Sequence, residues 1–272
     1  MSADRHDPAG RVAAHHRAGS GVARIGYPIG VRRVRIVARQ QVTPRMLRLT
    51  LGGAGLAGFH TYQADDHVRI VFPDPDGTQR DPVPDGQGML DWPEPFPLTR
   101  KYTVRRYDAA AHELDLDFVL HDGGVASTWA ASAAVGDEVT IAGPPGAKAF
   151  PHHHDHYVLA VDGTALPAAA RWLEDAPADV SAHVVAEVDD AAERGYPLAS
   201  RDGVTVTWLV REGGHSTLAE TVRSLRLPAG RTFLFAAGEA TDIRPLRAWS
   251  RDRAVDSLIT GYWKRGTVGL ED

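Results

Sequence analysis

The chain has 272 residues, a net charge of -5, no cysteine, and 43% hydrophobic against 24% charged residues, so it can bury two cores of ordinary size. The negative balance argues against a general nucleic-acid binder, which needs a basic face for phosphates. Without cysteine there is no disulfide, thiol nucleophile or cysteine-held iron–sulfur or zinc centre, so any electron carrier is a bound organic cofactor or a metal on His and carboxylates.

Residues 1–28 are rich in Ala, Gly, Arg and His without periodicity and are expected to form a mobile arm. They contain charges and no apolar signal region, and no later run approaches the roughly 18 apolar residues of a membrane span. The expectation is a cytoplasmic monomer with no membrane insertion. From 29 to 148, short runs alternate polar with apolar residues: Val34–Val37, Met46–Leu51, His67–Phe72, Lys101–Arg105, Glu113–Leu120 and Glu138–Ile141. This is the pattern of half-buried strands in a closed antiparallel barrel, with Pro73–Pro97 as an irregular excursion.

Residues 149–156 read as a linker. The run His152-His153-His154-Asp155-His156 invites a metal reading, but consecutive imidazoles rarely converge on one ion, and a solvated connector with no metal is expected. Between 157 and 257 the rhythm becomes strand–helix: Tyr157–Val161, then Ala165–Glu174; Ser181–Val188; Val204–Leu209, then Ser216–Leu225; Thr232–Ala237, then Asp242–Asp252. Strands alternating with helices indicate a parallel α/β sheet. Trp172 and Trp249 fall in the apolar pattern of helices and are expected in the core. Residues 258–272 read as a tail.

Arg100 and Tyr102 lie on one face of a strand, where a guanidinium can meet a pyrophosphate while the ring packs against a flat heterocycle. After the strand Asp117–Val119 and His121, the stretch Gly123-Gly124-Val125-Ala126-Ser127-Thr128 reads as a glycine turn opening a helix. Its N–H groups and the two hydroxyls form an anion site. A strand Arg-x-Tyr-Thr followed by such a turn resembles the flavin barrels of the ferredoxin-reductase superfamily. Gly163-Thr164-Ala165 by itself is an ordinary strand–helix turn.

More closely, the chain resembles the siderophore-interacting protein family of FAD-containing ferric-siderophore reductases. Thr43-Pro44-Arg45-Met46, Asp66-His67-Val68-Arg69, Arg100–Arg105, Gly143-Pro144-Pro145-Gly146, Ala237-Gly238-Glu239-Ala240 and Gly261-Tyr262-Trp263-Lys264-Arg265-Gly266 carry the resemblance. It implies a six-stranded antiparallel flavin-binding β-barrel followed by a nucleotide-binding α/β parallel-sheet domain, as in ferredoxin-NADP reductases. FAD would be held by Arg100, Lys101, Tyr102, Thr103, Asp117, Val119, His121, Gly124, Ala126, Ser127 and Thr128. The donor, NADH or NADPH, would meet Thr164, Ala165, Gly238, Glu239 and Ala240. Arg211 and Arg244 are the candidates for a 2′-phosphate. Tyr262 and Trp263 would cover the flavin from the tail, and Arg69, Arg247, Lys264 and Arg265 would draw the anionic ferric siderophore. A ferredoxin is a further candidate partner, and no nucleic acid is expected. The family's usual Asp-Glu-Thr stands here as Asp162-Gly163-Thr164, and its frequent Arg stands as Thr128. A general flavin or ferric-chelate reductase and a non-catalytic flavin or siderophore carrier are the alternatives.

Overall fold

The computed structural model describes residues 5–267. The chain divides into two compact units, one built on Arg24–Ala149 with residues up to Ala13, the other on residues from Phe150 with Ala14–Ala23. In chain order the first elements are α1 (Pro8–Ala18), β1 (Ala23–Gly26), β2 (Val31–Thr43), β3 (Met46–Gly52), β4 (His67–Val71), the short pair β5 (Val83–Pro84) and β6 (Leu90–Asp91), β7 (Thr99–Asp108), β8 (Glu113–Val119), α2 (Val125–Ser132), β9 (Glu138–Ala142) and β10 (Gly146–Ala149).

The six expected strands close into one antiparallel barrel in the order β2-β3-β8-β7-β4-β9. Alternation decides what it buries, because side chains two apart share a face. Leu47, Leu49 and Leu51 of β3 point inward, as do Leu114, Leu116 and Phe118 of β8, Val68 and Ile70 of β4, and Val139 and Ile141 of β9. Each such side chain stabilises the barrel by about 1.5–3 kcal/mol through burial.

The second unit contains β11 (His156–Asp162), α3 (Leu166–Asp175), β12 (Ser181–Val188), β13 (Val204–Val210), α4 (Leu218–Ser224), β14 (Thr232–Glu239), α5 (Ala240–Ile243), α6 (Pro245–Asp252) and β15 (Asp256–Trp263). The sheet order is β13-β12-β11-β14-β15, all pairs parallel. The order reverses between β11 and β14, which is where open α/β sheets seat their ligands, at the carboxyl ends of the strands. Trp172 and Trp249 are buried as expected.

Four expectations change. Residues expected as a mobile arm include α1 and β1; Asp7 accepts from the Gly10 N–H at 3.0 Å and begins the helix, and β1 pairs with β10. The helix expected over Asp242–Asp252 is two, because Pro245, lacking an N–H, starts a new helix at its first turn. Residues 256–263, expected mostly as tail, form the fifth strand of the sheet; residues 268–272 of that tail and 1–4 of the arm lie outside the described residues.

The histidine run is not a solvated linker. His154 is buried and bonds Asp256 at 2.9 Å, while His152 stacks on His16 with ring centroids 3.8 Å apart. Burial first, then His16 and His153, push the His152 imidazole down to about 3. Among the described residues no helix is long and apolar enough to cross a membrane.

Candidate functional site

Two places carry the expected residues, one in each unit. On the barrel, Arg100 is half-buried, and its guanidinium donates to the Thr99 carbonyl at 2.7 Å. It forms no ion pair among the described residues. Tyr102, two residues on, lies over Phe118 with centroids 4.2 Å apart, and Phe118 in turn meets Trp129 of α2. Burial pushes the Tyr102 hydroxyl well above its ordinary range, against a smaller opposing effect of Arg100. This residue is therefore an uncharged aromatic wall. Thr103 is buried, Lys101 and Val119 are half-buried, and Thr128 is exposed.

An open cleft of about 650 Å³ is lined by Arg45, Leu120, His121, Ser127 and Thr128, among others. The helix α2 starts there with Gly124 at its N-cap and no side-chain cap, so its first N–H groups are left for a ligand or water. A Cβ on Gly124 would lie 2.3 Å from the His121 ring, so a larger residue there would displace the imidazole. Ala126 is buried beneath this turn.

Two of the residues expected to hold the cofactor are already committed. The Ser127 hydroxyl accepts from the His121 N–H and donates to the His121 carbonyl, both at 2.8 Å. It fastens α2 to the end of β8, so this hydroxyl is not left for a ligand, whereas the backbone N–H groups that open α2 are. Asp117, whose side chain is fully buried, takes both arms of Arg48 on the neighbouring strand at 2.6 and 2.8 Å. That fork-to-fork pair holds β3 to β8.

The residues left over suit a flavin with a pyrophosphate. An unpaired guanidinium, an uncapped helix start beside an open cleft, and an aromatic wall are the donor set and the surface such a cofactor requires.

In the second unit, Thr164, Gly238 and Glu239 do come together, around Asp162. The Asp162 Oδ1 accepts from the Thr164 N–H at 2.9 Å and its hydroxyl at 2.6 Å. The other oxygen, Oδ2, accepts from the Glu239 N–H at 2.9 Å and the Trp263 indole N–H at 2.8 Å. Burial raises the Asp162 carboxyl above its ordinary value, and these four bonds oppose the rise. Gly238 has φ +147, and a Cβ there would lie 2.5 Å from the Asp162 Cγ. Ala165 is buried at the N-cap of α3, and Ala240 opens α5.

Glu239 is buried as well. One oxygen caps α5 through the Thr241 and Asp242 N–H groups at 2.6 and 2.7 Å, and the other accepts from the Arg265 N–H at 3.0 Å. Its burial favours the neutral acid, but the bonds from Arg265, Asp242 and Thr241 outweigh it and hold the carboxyl below its usual value.

Asp162 escaped the sequence reading, which dwelt on the carboxylate missing at Gly163. A signal was there: an Asp ending a strand with Thr two residues on is an Asx-turn pattern.

The four cations expected to attract substrate fall in both units, Arg69 in the first and the other three in the second. Arg69 donates to the Thr99 hydroxyl at 3.0 Å on the barrel. Arg247 reaches the Ile259 carbonyl at 2.8 Å on β15. Lys264 is five residues further along that extended chain, about 16 Å at strand spacing. Arg265 pairs with Asp242 at 3.2 Å. Lys264 is exposed and forms no ion pair among the described residues. Tyr262 and Trp263 belong to β15, so the aromatic pair expected in a tail sits in the sheet.

The model of the siderophore-interacting FAD-binding domain matches residues 35–148, and that of the siderophore-interacting protein matches residues 154–266. Ferric vibriobactin reductase ViuB of Vibrio cholerae is 33% identical over 240 residues, covering 85% of this chain and 88% of the relative. The NADPH-dependent ferric-chelate reductase of Escherichia coli is 34% identical over 229 residues, covering 82% and 87%. The crystal structure of a siderophore utilization protein from T. fusca superposes with a TM-score of 0.86 at 38% identity, covering 92% of this chain and 98% of that one. More distant matches with a ferredoxin NADP+ reductase from Neisseria gonorrhoeae and a phthalate dioxygenase reductase share the fold alone. The chain belongs to the siderophore-interacting protein family, whose N-terminal half is an FAD-binding domain.

Proposed function

We propose that the chain is a ferric-siderophore reductase that carries electrons from a nicotinamide nucleotide through FAD to chelated Fe(III). The observation that favours this reading is Arg100, without an ion-pair partner among the described residues, on the barrel of a chain whose residues 35–148 and 154–266 match the family. Ferric iron in a siderophore is gripped by hard oxygen donors, and the ferrous ion is held far less strongly. When bound, FAD would supply the conversion from a two-electron hydride donor to single-electron transfer.

The protein's own part is orientation and charge. Arg100 would hold the pyrophosphate of FAD and Tyr102, on the same strand face, would back the ring system, with Lys101 and Thr103 on the other face of the strand. Val119 and His121 line its edge or ribityl chain. The backbone of Gly124, Ala126, Ser127 and Thr128 receives phosphate at the start of α2. The donor is received at Thr164 and Ala165, where α3 begins, and at Gly238, Glu239 and Ala240, at the end of β14. Lys264 attracts the anionic chelate, since a chain with net charge -5 offers no attraction in bulk.

The test is an absorbance spectrum of the purified protein, repeated after anaerobic addition of donor and then of a ferric siderophore with a ferrous trap. The expected sequence is a flavin spectrum, its bleaching by the nucleotide, and its return as the ferrous complex forms. Release of FMN, or no flavin, sinks the cofactor assignment. A spectrum that no donor bleaches leaves the non-catalytic carrier instead.

A further inference from the structure

The carboxyl end of β12 reads Glu187-Val188-Asp189-Asp190, and what surrounds it bears on the choice of donor. In α/β sheets the strand that follows the first strand–helix turn ends beside the adenosine ribose. A carboxylate there accepts from a 2′-hydroxyl, whereas an available Arg accommodates a 2′-phosphate. Here β12 is that strand. The Arg on the neighbouring strand, Arg211 at the end of β13, is held elsewhere. Its Nε and Nη2 donate to Glu187 Oε2 at 3.1 and 2.7 Å. Asp242 lies 3.2 Å from Nη2, and Asp189 lies 3.7 Å from Nε.

Glu187 cannot turn aside to release it. Its side chain is 0% exposed, and Oε1 accepts from the Thr217 and Leu218 N–H groups at 2.7 and 3.1 Å. Drawing Arg211 onto a phosphate would leave a buried carboxylate without its charge partner, the costliest arrangement available to an ion pair. Burial by itself disfavours the Arg211 charge, and Glu187, Asp189 and Asp242 more than restore it. The guanidinium is thus fully charged and fully answered. Arg265 is likewise paired with Asp242. Three carboxylates therefore face two guanidiniums, and the Asp189 side chain, 59% exposed, points its charge at solvent. Two exposed arginines remain near this side of the sheet: Arg194, in the short turn Ala191–Gly195 that follows Asp190, and Arg244, which follows β14, across β11 from this strand end.

We infer that this edge selects NADH over NADPH: Asp189 accepts from the adenosine ribose hydroxyls, and the Glu187–Arg211 pair withholds that guanidinium from a 2′-phosphate. The inference rests on the reading of the sheet edge as the donor's seat. It sets this chain apart from the relative in Escherichia coli whose name carries NADPH.

A binding measurement independent of the flavin tests it. Calorimetric titration of the holoprotein with adenosine 5′-monophosphate and with adenosine 2′,5′-bisphosphate should show the monophosphate bound at least about tenfold more tightly. The same order should hold for anaerobic bleaching by NADH and NADPH. Asp189→Asn, at an exposed position, should narrow both ratios severalfold with the urea midpoint unchanged. A bisphosphate bound as tightly or more so, together with faster bleaching by NADPH, overturns the inference and leaves the donor's seat standing. Loss of such a preference in Arg244→Ala would then name the true phosphate partner. If neither nucleotide binds and neither donor bleaches the flavin, while dithionite-reduced protein still reduces the ferric chelate, the reading of the donor's seat fails and the inference with it. An unchanged ratio in Asp189→Asn overturns the role given to that residue.

Discussion

On the barrel, Arg100 has no carboxylate partner among the described residues, and α2 begins with no side chain capping it. At the sheet edge, Asp162 gives its two oxygens to four donors, and Glu187 does the same with Arg211 and the start of α4. The first region keeps polar groups in reserve and is completed by a ligand. The second is complete without one. A ligand that arrives at the barrel finds donors waiting, whereas one that arrives at the sheet edge must fit around bonds already made. Under the proposed function, affinity for a resident cofactor and discrimination between passing donors follow from these two states.

The contrast is exposed to four measurements. The largest effect is expected from Glu187→Ala, which leaves the nearly buried Arg211 without its main partner and α4 without its cap. It should lower stability by about 3–5 kcal/mol, read from the urea midpoint. A cost under about 1 kcal/mol would show that the edge is not self-satisfied.

Arg100→Ala comes next and should do the reverse. Losing one charge-assisted contact should weaken FAD binding by about 1.5–3 kcal/mol with stability of the apoprotein within about 0.5 kcal/mol. Flavin content after dialysis, set beside apoprotein unfolding, decides it. An unfolded variant would mean that Arg100 belongs to the barrel's own structure.

Third is a pH effect in the histidine run. His152 faces His16, His153, Phe150 and Trp172. Folding holds it near 3, below its ordinary 6.5, so the unfolded chain takes up the proton first. The folded state is unaffected well above 6.5 and loses stability as pH falls from there toward 3. At pH 5.5 the loss from this residue is about 1.4 kcal/mol. His154, lowered chiefly by burial, acts in the same direction. His152→Gln should remove its share of the slope between pH 7.5 and 5.5, and an unchanged slope would place the effect elsewhere.

The smallest effect belongs to Lys264→Ala. It should raise KM for an anionic ferric chelate severalfold, less at high salt, and barely alter reduction of a neutral hydroxamate. Equal losses on both substrates would point to a role in holding the fold or the flavin.

The barrel was legible because each strand alternates against one core, so that residues such as Leu47, Leu49 and Leu51 announce their face. The helix α1 was not, since it buries only Val12 and so carries no apolar stripe. Nor was β15, an edge strand whose apolar run is little more than Leu258-Ile259. Arg100, Tyr102 and the glycine turn could be chosen from residue type and spacing alone. Whether a chosen group is still available could not be. Asp117 meets an arginine 69 positions away, and Ser127 turns back onto His121, choices made by packing rather than by local sequence. The histidine run misled for the same reason, because its partners His16 and Asp256 come from opposite ends of the chain.

Gly238 has an implication for how this protein can change. It bends through φ +147 where the Asp162 carboxylate leaves no room for a methyl group. An Ala at 238 therefore ejects Asp162, and the indole of Trp263 and the backbone of Glu239 lose their acceptor together. Position 238 is therefore tied to position 162, and a side chain at 238 is tolerated only alongside a smaller residue at 162. Laboratory evolution that samples one mutation at a time should find Gly238 invariant, while libraries randomising the pair should recover exchanges at 238 that it does not tolerate alone.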